Sequence, residues 1–299
     1  MGPFNFVLLL AQFVSIFLFV SAQNVCNGNA AYCDRLYSNV SEIGSHDSAF
    51  VGLLPQDNQE DSLTQQLNGG IRFLQAQTHV FAGVLSLCHT SCFELYAGSL
   101  SSYLSTVKAW LDANPNEVLT ILLTNGDNVD VSMFDQVYQA VGLNTYAYIP
   151  PTTPNTLPID AWPTLQQLID ANTRLVAFQD YGANPSQVPY ILPEFDYFFE
   201  TPYDTTDSTF NECTLDRPPG ASPNGLMYIV NHFLDVDILG VDIPDDAADY
   251  TTNAATGTGS IGGQVGLCEG IYGYAPKGVL VDYFDRGDVF TAQDNMNDV

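Results

Sequence analysis

The chain has 299 residues, of which 34 are Asp or Glu and only 7 are Lys or Arg, giving a formal net charge of −27. Hydrophobic residues make up 46% of the chain, enough to bury a sizeable core, which excludes a disordered polypeptide. So few cations cannot form the basic face that displaces counterions from a polyphosphate, which excludes nucleic acid as a partner and strong electrostatic docking on anionic lipid. The same negative charge opposes self-association, and a monomer is expected.

Residues 4–20 form an uncharged apolar run, and Val20-Ser21-Ala22 supplies small residues for a signal peptidase. The run reads as an export signal over 1–22, cleaved after Ala22 and followed by one domain over 23–299. A retained membrane anchor is the competing reading. Six cysteines follow, and an even count in an exported chain predicts three disulfides. The sequence-local pairs Cys26–Cys33 and Cys88–Cys92 leave Cys213–Cys268. The spacings lack the paired motifs of a zinc site. Asn39-Val40-Ser41 is an acceptor for N-glycosylation.

In chain order, Gly70–Gln77 reads as a strand, as does Val84–Cys88. Leu100, Tyr103, Leu104, Val107 and Leu111 then recur at helical spacing, capped near Ser99 and ended by Pro115. Val118–Thr124 is a continuous β-branched and aliphatic run, the pattern of a strand buried on both faces. Asp130 starts a helix through Phe134, Val137, Tyr138 and Val141, closed by Gly142. A Pro- and Thr-rich loop spans 150–158, and a second short helix begins near Thr164. Further strands are predicted at Arg174–Phe178, Tyr197–Phe199, Met227–Val230 and Val279–Tyr283. Strands alternating with helices give an α/β fold with a mainly parallel sheet. Pattern alone leaves an open sheet and a closed barrel both standing.

Among the four histidines, His46, His89 and His232 lie at or just beyond strand ends, where a parallel α/β protein carries its active site. Asp47, Asp180, Glu200 and Asp282 sit at similar ends. Gly44-Ser45-His46-Asp47-Ser48 resembles the first histidine motif of the phosphatidylinositol-specific phospholipase C X-domain family. Gly70-Ile71-Arg72-Phe73-Leu74 resembles the start of that family's second strand. Cys88-His89 falls where the family places its second histidine, and Val281-Asp282-Tyr283 resembles the strand bearing its orienting aspartate. The resemblance spans about residues 38–290 and looks closest to the secreted fungal branch.

The resemblance implies a distorted TIM (β/α)8 barrel and cleavage of a phosphodiester by two histidines. His46 would be the general base and His89 the general acid, a task suited to a side chain that titrates near working pH. Asp282 would fix the tautomer of His46, and Asp47 would position the attacking hydroxyl. Asp180, Glu200 and Tyr203 would line a head-group pocket, with Gln75, Gln77, Asn125 and His232 as further substrate-binding candidates. The family carries charge where Gln75 and Gln77 stand. Its calcium-dependent branch has acidic ligands there, and its metal-independent branch has an aspartate and an arginine. No metal ligand set is therefore assigned, and metal dependence is left to experiment. Arg72 lies on the strand face opposite Phe73 and Gln75 and reads as a barrel-interior or bottom-face ion pair. Asp242, Asp245, Asp246 and Asp249 read as a solvated loop.

The expected function is that of an extracellular phosphoric diester hydrolase, with a lipid head group as substrate and transient contact with a membrane surface. Two alternatives remain: an inactive barrel that binds a phosphorylated head group or glycan, and a glycerophosphodiester phosphodiesterase.

Overall fold

The computed structural model describes Gly2 and residues 24–299; apart from Gly2, the expected export signal lies outside the described residues. β1 (Glu42–Ser45) leads through α1 (Leu63–Gly69) to β2 (Phe73–Phe81). The chain folds back through β3 (Val84–His89) and β4 (Leu95–Ser99), and α2 (Leu100–Ala113) returns it to β5 (Leu119–Asn125). α3 (Val131–Val141) and α4 (Leu165–Asp170) precede β6 (Leu175–Gln179). β7 (Ile191–Pro193), β8 (Phe198–Glu200) and β9 (Met227–Asn231) follow without an intervening α-helix among the described residues. A small antiparallel pair, β10 (Asp235–Asp237) and β11 (Asp242–Pro244), comes next. Then α5 (Asp249–Thr252) and α6 (Ile261–Tyr272) lead to β12 (Gly278–Val281) and the closing α7 (Val289–Met296).

Local chemistry sets these boundaries. Ser99 accepts from the Ser102 amide and Asp130 from the Ser132 amide, capping α2 and α3. Gly142 closes α3 in the left-handed conformation, φ +74°. Thr164 and Gln167 cap α4 reciprocally. The strand expected from Gly70 begins only at Phe73, because Gly70, at φ +121°, is the C-cap of α1.

Eight strands form one parallel ladder in the order β7-β6-β5-β2-β1-β12-β9-β8. Pairing of the first strand with the last, β1 with β12, curls the ladder into a barrel. The seam lies between β7 and β8, which end the ladder, so the fold is a distorted (β/α)8 barrel. Side chains alternate with a period of two. Phe73, Leu122, Val176, Phe178, Phe198, Ile229 and Leu280 fill the interior, while Leu74, Ile121, Ala177, Val230 and Val279 pack outward among the helices. Gly278 faces inward where a Cβ would come within 2.6 Å of Phe73 Cδ1, so no larger residue fits there.

The N-terminal end of the barrel is plugged. Tyr32, Tyr37 and Val40 join the inner core, with the Cys26–Cys33 disulfide beside them. Beneath them Lys277 Nζ meets Glu42 Oε2 at 2.7 Å, both fully buried. Removing one partner of such a pair would strand a charge in the core, a loss of about 3–5 kcal/mol. Arg72 also belongs to this end: it pairs with Glu117 at 2.7 Å and lies over the Trp110 ring. All three disulfides, Cys26–Cys33, Cys88–Cys92 and Cys213–Cys268, pair as expected.

Candidate active site

The opposite end opens into a cleft of about 750 Å³ at the carboxyl ends of the strands. Strand parity decides which side chains reach it. His46 continues the β1 ladder by donating its amide to the Val281 carbonyl. Asp47 then turns left-handed, φ +43°, so two consecutive side chains reach one site. His46 Nδ1 meets Asp282 Oδ1 at 2.9 Å, and its ring stacks on Phe233, centroids 3.7 Å apart and planes within 1°. Asn58 donates to both Asp282 oxygens, at 3.1 and 3.2 Å.

Asp47 joins the two histidines. Its Oδ2 lies 3.5 Å from His46 Nε2 and 3.5 Å from His89 Nε2. Gln75 Oε1 accepts the Asp47 amide at 2.7 Å, and Gln77 Nε2 donates to Asp47 Oδ2 at 2.8 Å. Gln77 Oε1 in turn accepts the Thr90 amide at 3.0 Å, tying Asp47 to the His89 turn, which the Cys88–Cys92 disulfide also closes. Phe50 meets the His89 ring edge-on at 5.1 Å. Asp47 is fully buried, and its Oδ1 has no hydrogen-bond partner among the described residues.

The second wall carries carboxylates. Burial pushes Asp180 up to about 6, against amides of Asn125 and Tyr181 that pull it down. Glu194 and Glu200 lie together. Burial and the neighbouring Glu200 charge hold Glu194 well above the usual carboxylate range. Glu200 is lowered, because bonds from Glu194, Arg217 and Asn231 outweigh its burial. Arg217 comes from the long β8–β9 loop, held by a backbone bridge to Glu200, and its guanidinium pairs with that carboxylate and lies 4.5 Å from the Tyr203 ring centroid. Asp204 and Asp235 complete the mouth, and burial and Asp282 push Asp235 up to about 7. Burial pulls His46 down, but Asp282, Asp47 and Asp235 outweigh it and lift His46 to about 9.

The cleft thus brings together His46, His89, Gln75, Gln77, Asp180, Glu200 and Tyr203, with Asp47 buried behind the two histidines and Asp282 bonded behind His46. Two sequence candidates fall outside it. Asn125 points out of the barrel and closes its own loop, bonding the Val129 amide and carbonyl. His232 is wholly buried between Gln264 and the Thr252 carbonyl, against the Phe210 ring. Each is one residue out of step with an inward neighbour, Thr124 and Phe233 respectively. The acidic loop is also corrected: Asp242 lines the cleft, and buried Asp249 pairs with Arg286 at 3.1 Å. Sequence reading missed Asn58, Arg217, Phe233 and Asp235. Among the described residues no group of three or more His, Cys, Asp or Glu is arranged to hold a metal ion.

A family model described as PI-PLC X 1 matches residues 32–297. "PI-PLC X domain-containing protein 1" of Arthroderma benhamiae is 50% identical over 292 residues, covering 97% of this chain and 95% of that protein. An "Uncharacterized secreted protein" of the same organism is 40% identical, covering 92% of this chain and 64% of its own length. Among solved structures, the phosphatidylinositol-specific phospholipase C of Listeria monocytogenes superposes with a TM-score of 0.56 at 17% identity, covering 89% of this chain and 95% of that one. The eight-stranded parallel barrel, the extent of the family match and the identity to these relatives agree: the chain belongs to the phosphatidylinositol-specific phospholipase C X-domain family.

Proposed function

We propose that the chain is an exported phosphoric diester hydrolase that cleaves a lipid-linked phosphodiester carrying a hydroxyl next to the phosphate. The observation that carries this reading is the convergence of His46 Nε2 and His89 Nε2 on one Asp47 oxygen, with His46 Nδ1 anchored on Asp282. In the proposed step neutral His46 takes the proton of the substrate hydroxyl. The hydroxyl oxygen bonds to phosphorus and closes a cyclic phosphate. The bond from phosphorus to the leaving oxygen breaks, and protonated His89 gives that oxygen its proton. Asp282 stabilises the imidazolium formed on His46. The polar wall of Asp180, Glu194, Glu200, Arg217 and Asn231 supplies donors and acceptors for a polyhydroxyl head group.

The rim favours a lipid surface as the place of encounter. Leu239 is 100% exposed, Phe93 93% and Leu53 87%, and Val241 reaches from the rim into the cleft lining. With a net charge of −27, the surface that suits this rim is neutral or zwitterionic lipid. Three disulfides and a relative named as secreted support export, and residues 23–299 form the proposed mature domain.

One observation favours a binding module instead. His46, lifted to about 9, is mostly charged at neutrality, and Gln75 and Gln77 add no positive charge for a phosphoryl transition state. The deciding experiment is hydrolysis of phosphatidylinositol vesicles by the purified chain, with and without chelator, beside His46→Ala and His89→Ala. Turnover that survives chelator and drops about 100-fold or more in each variant supports the two-histidine reading. Equal turnover in wild type and both variants sinks it. Vesicle binding without turnover selects the binding module, and loss with chelator alone points to metal-dependent chemistry.

A further inference from the structure

The segment Asp57-Asn58-Gln59 lies in the β1–α1 connection, with no periodic pattern to mark it. All three residues are nonetheless buried, at 3%, 1% and 0% exposure. Burying three consecutive polar side chains is unfavourable unless their bonds are satisfied. The Asp57 carboxylate closes its own turn by accepting the Leu54 amide, and Asn58 Oδ1 has no partner among the described residues, but the other bonds run to one place. Gln59 Nε2 donates to the His46 carbonyl at 2.9 Å and the Val281 carbonyl at 3.1 Å, stitching the ends of β1 and β12 together. The Asn58 carbonyl accepts the Tyr283 amide, and the Asp57 carbonyl accepts the Tyr283 hydroxyl at 2.6 Å. The Asn58 side chain donates to both oxygens of Asp282.

We infer that Asn58 is a positioning residue for the His46–Asp282 pair: its amide fixes the Asp282 carboxylate so that Oδ1 faces His46 Nδ1. The inference rests on the proposed role of His46. Asp282 sits one residue beyond its strand, 2% exposed, and a carboxylate with one neighbour would be free to turn about its side-chain bonds. Two hydrogen bonds from one side-chain nitrogen remove that freedom, and Asn58 is itself held by its backbone amide on the Phe50 carbonyl. The charged groups facing Asp282 are His46 and Asp47 at the end of β1, Asp235 on β10 and Asp249 on α5. Beside the His46 ring, Asn58 is the side chain among the described residues that donates to the Asp282 carboxylate, and its amide carries no charge. It holds the carboxylate without competing for the imidazole proton.

Two variants and two readouts test this. The first readout needs no substrate: the His46 Nδ1 proton, assigned by its absence in His46→Ala, is followed by proton and nitrogen NMR. In wild type it is expected far downfield and slow to exchange, as befits a proton held by Asp282. In Asn58→Ala it should move upfield or broaden away, and turnover on phosphatidylinositol should fall about 10–100-fold in kcat with KM little changed, the range seen when an outer partner of a catalytic ligand is removed. Asn58→Asp is nearly isosteric. At low pH its protonated carboxyl can donate to Asp282 as the amide does. At higher pH the two carboxylates repel. The ratio of its kcat to that of wild type should be near one at acidic pH and fall as pH rises. An unchanged His46 signal and unchanged kcat in folded Asn58→Ala overturn the inference. So does a pH-independent ratio for Asn58→Asp. If wild type shows no turnover at all, the NMR signal still decides the positioning role separately from the proposed function.

Discussion

Gln77 donates to Asp47 Oδ2 at 2.8 Å, and its own carbonyl is taken by the Thr90 amide. The side chain that stands where the family carries charge is therefore engaged within the protein at both ends. It links a buried carboxylate to the turn that carries His89. Gln77→Glu would set a second carboxylate against Asp47 and remove the Asp47 donor. Like charges at this range cannot both ionise without loss, so one proton should be retained. The expected outcome is a fall of about 10-fold or more in kcat at neutral pH, with partial recovery on acidification. Wild-type kcat in Gln77→Glu across pH 5–8 would show that the amide has no part in arranging Asp47.

Stability should decline as pH rises from acid to alkaline. The unfolded carboxyls titrate at their ordinary low values, whereas Asp180 is lifted to about 6, Asp235 to about 7 and Asp249 to about 8, burial being the first cause in each. In that window the native state holds more protons than the unfolded chain, so each unit of pH costs stability. His46 acts in the same direction. Lifted to about 9, it contributes stability that is complete below the ordinary histidine pKa and is lost as pH rises through 9. Self-repulsion at a net charge of −27 adds to the trend. Glu200 and the buried His232, both lowered from their ordinary values, oppose the trend on the acid side, Glu200 only at the acid extreme and His232 below the ordinary histidine pKa, where they are outnumbered by the raised carboxyls. Thermal unfolding from pH 4.5 to 9 should show a falling Tm. A flat curve, or a maximum near pH 8, would contradict the assignment of these protons.

If neutral His46 is the base and protonated His89 the acid, kcat/KM of the wild type should follow a bell, because rising pH frees the His46 base while it removes the His89 proton. In His89→Ala, which has no acid to lose, the residual kcat/KM should keep climbing as pH approaches 9. A residual rate in His89→Ala that levels off near pH 6.5 would mean that the carboxylates around His46 do not hold its proton in the free enzyme.

Most barrel strands were legible because burial on both faces gives continuous apolar runs; the three-residue β7 (Ile191–Pro193) was too short to show one. Val118–Thr124 in the sequence became Leu119–Asn125 in the fold, and the caps at Ser99, Asp130 and Thr164 were readable because each acts within a few residues. His46, His89 and Asp282 were found through a motif at strand ends. Asn125 and His232 were misjudged by a rule the sequence did contain. Counting by twos from Leu122 and Ile229 selects Thr124, Asn231 and Phe233, and turns Asn125 and His232 outward. Arg217 and Asn58 had no such signal. Both are delivered by irregular connections, through the Glu200–Arg217 bridge and the bonds to Phe50 and Tyr283. Only tertiary contacts decide where such residues point.

Arg217 is the cation that makes the carboxylate wall tolerable. Glu200 is 1% exposed, and Arg217 contributes its guanidinium together with the Tyr203 stack. Arg217→Ala should destabilise the fold by about 2–3 kcal/mol, less than for a fully buried pair because Arg217 is partly exposed. The loss should be largest near neutral pH and shrink in acid, because in the variant Glu200 has lost the cation that lowers it and burial lets it take a proton more readily. Equal destabilisation at pH 5 and pH 8 would show that the arginine acts by packing and not by charge.

Leu239 is expected to trade stability for surface binding. It is fully exposed at the tip of the β10–β11 hairpin, and its backbone sits at φ +60°, next to Gly240 at φ +84°. Two successive left-handed residues make a turn that favours Asn-Gly, so a leucine here is unfavourable in backbone and in solvation alike. Nothing inside the fold contacts it to offset that strain. Ile238 and Val241 beside it are also exposed, at 51% and 61%. Contact with a lipid phase would account for all three. Leu239→Asn should raise stability by about 1 kcal/mol by relieving the turn. It should also weaken binding to zwitterionic vesicles and lower turnover on them several-fold, while turnover on a monomeric, water-soluble phosphodiester stays unchanged. A variant that is more stable and equally active on vesicles would remove the hairpin tip from the lipid contact. A loss shared by soluble and vesicle substrates would instead place its effect on the cleft, through Val241, which lines it.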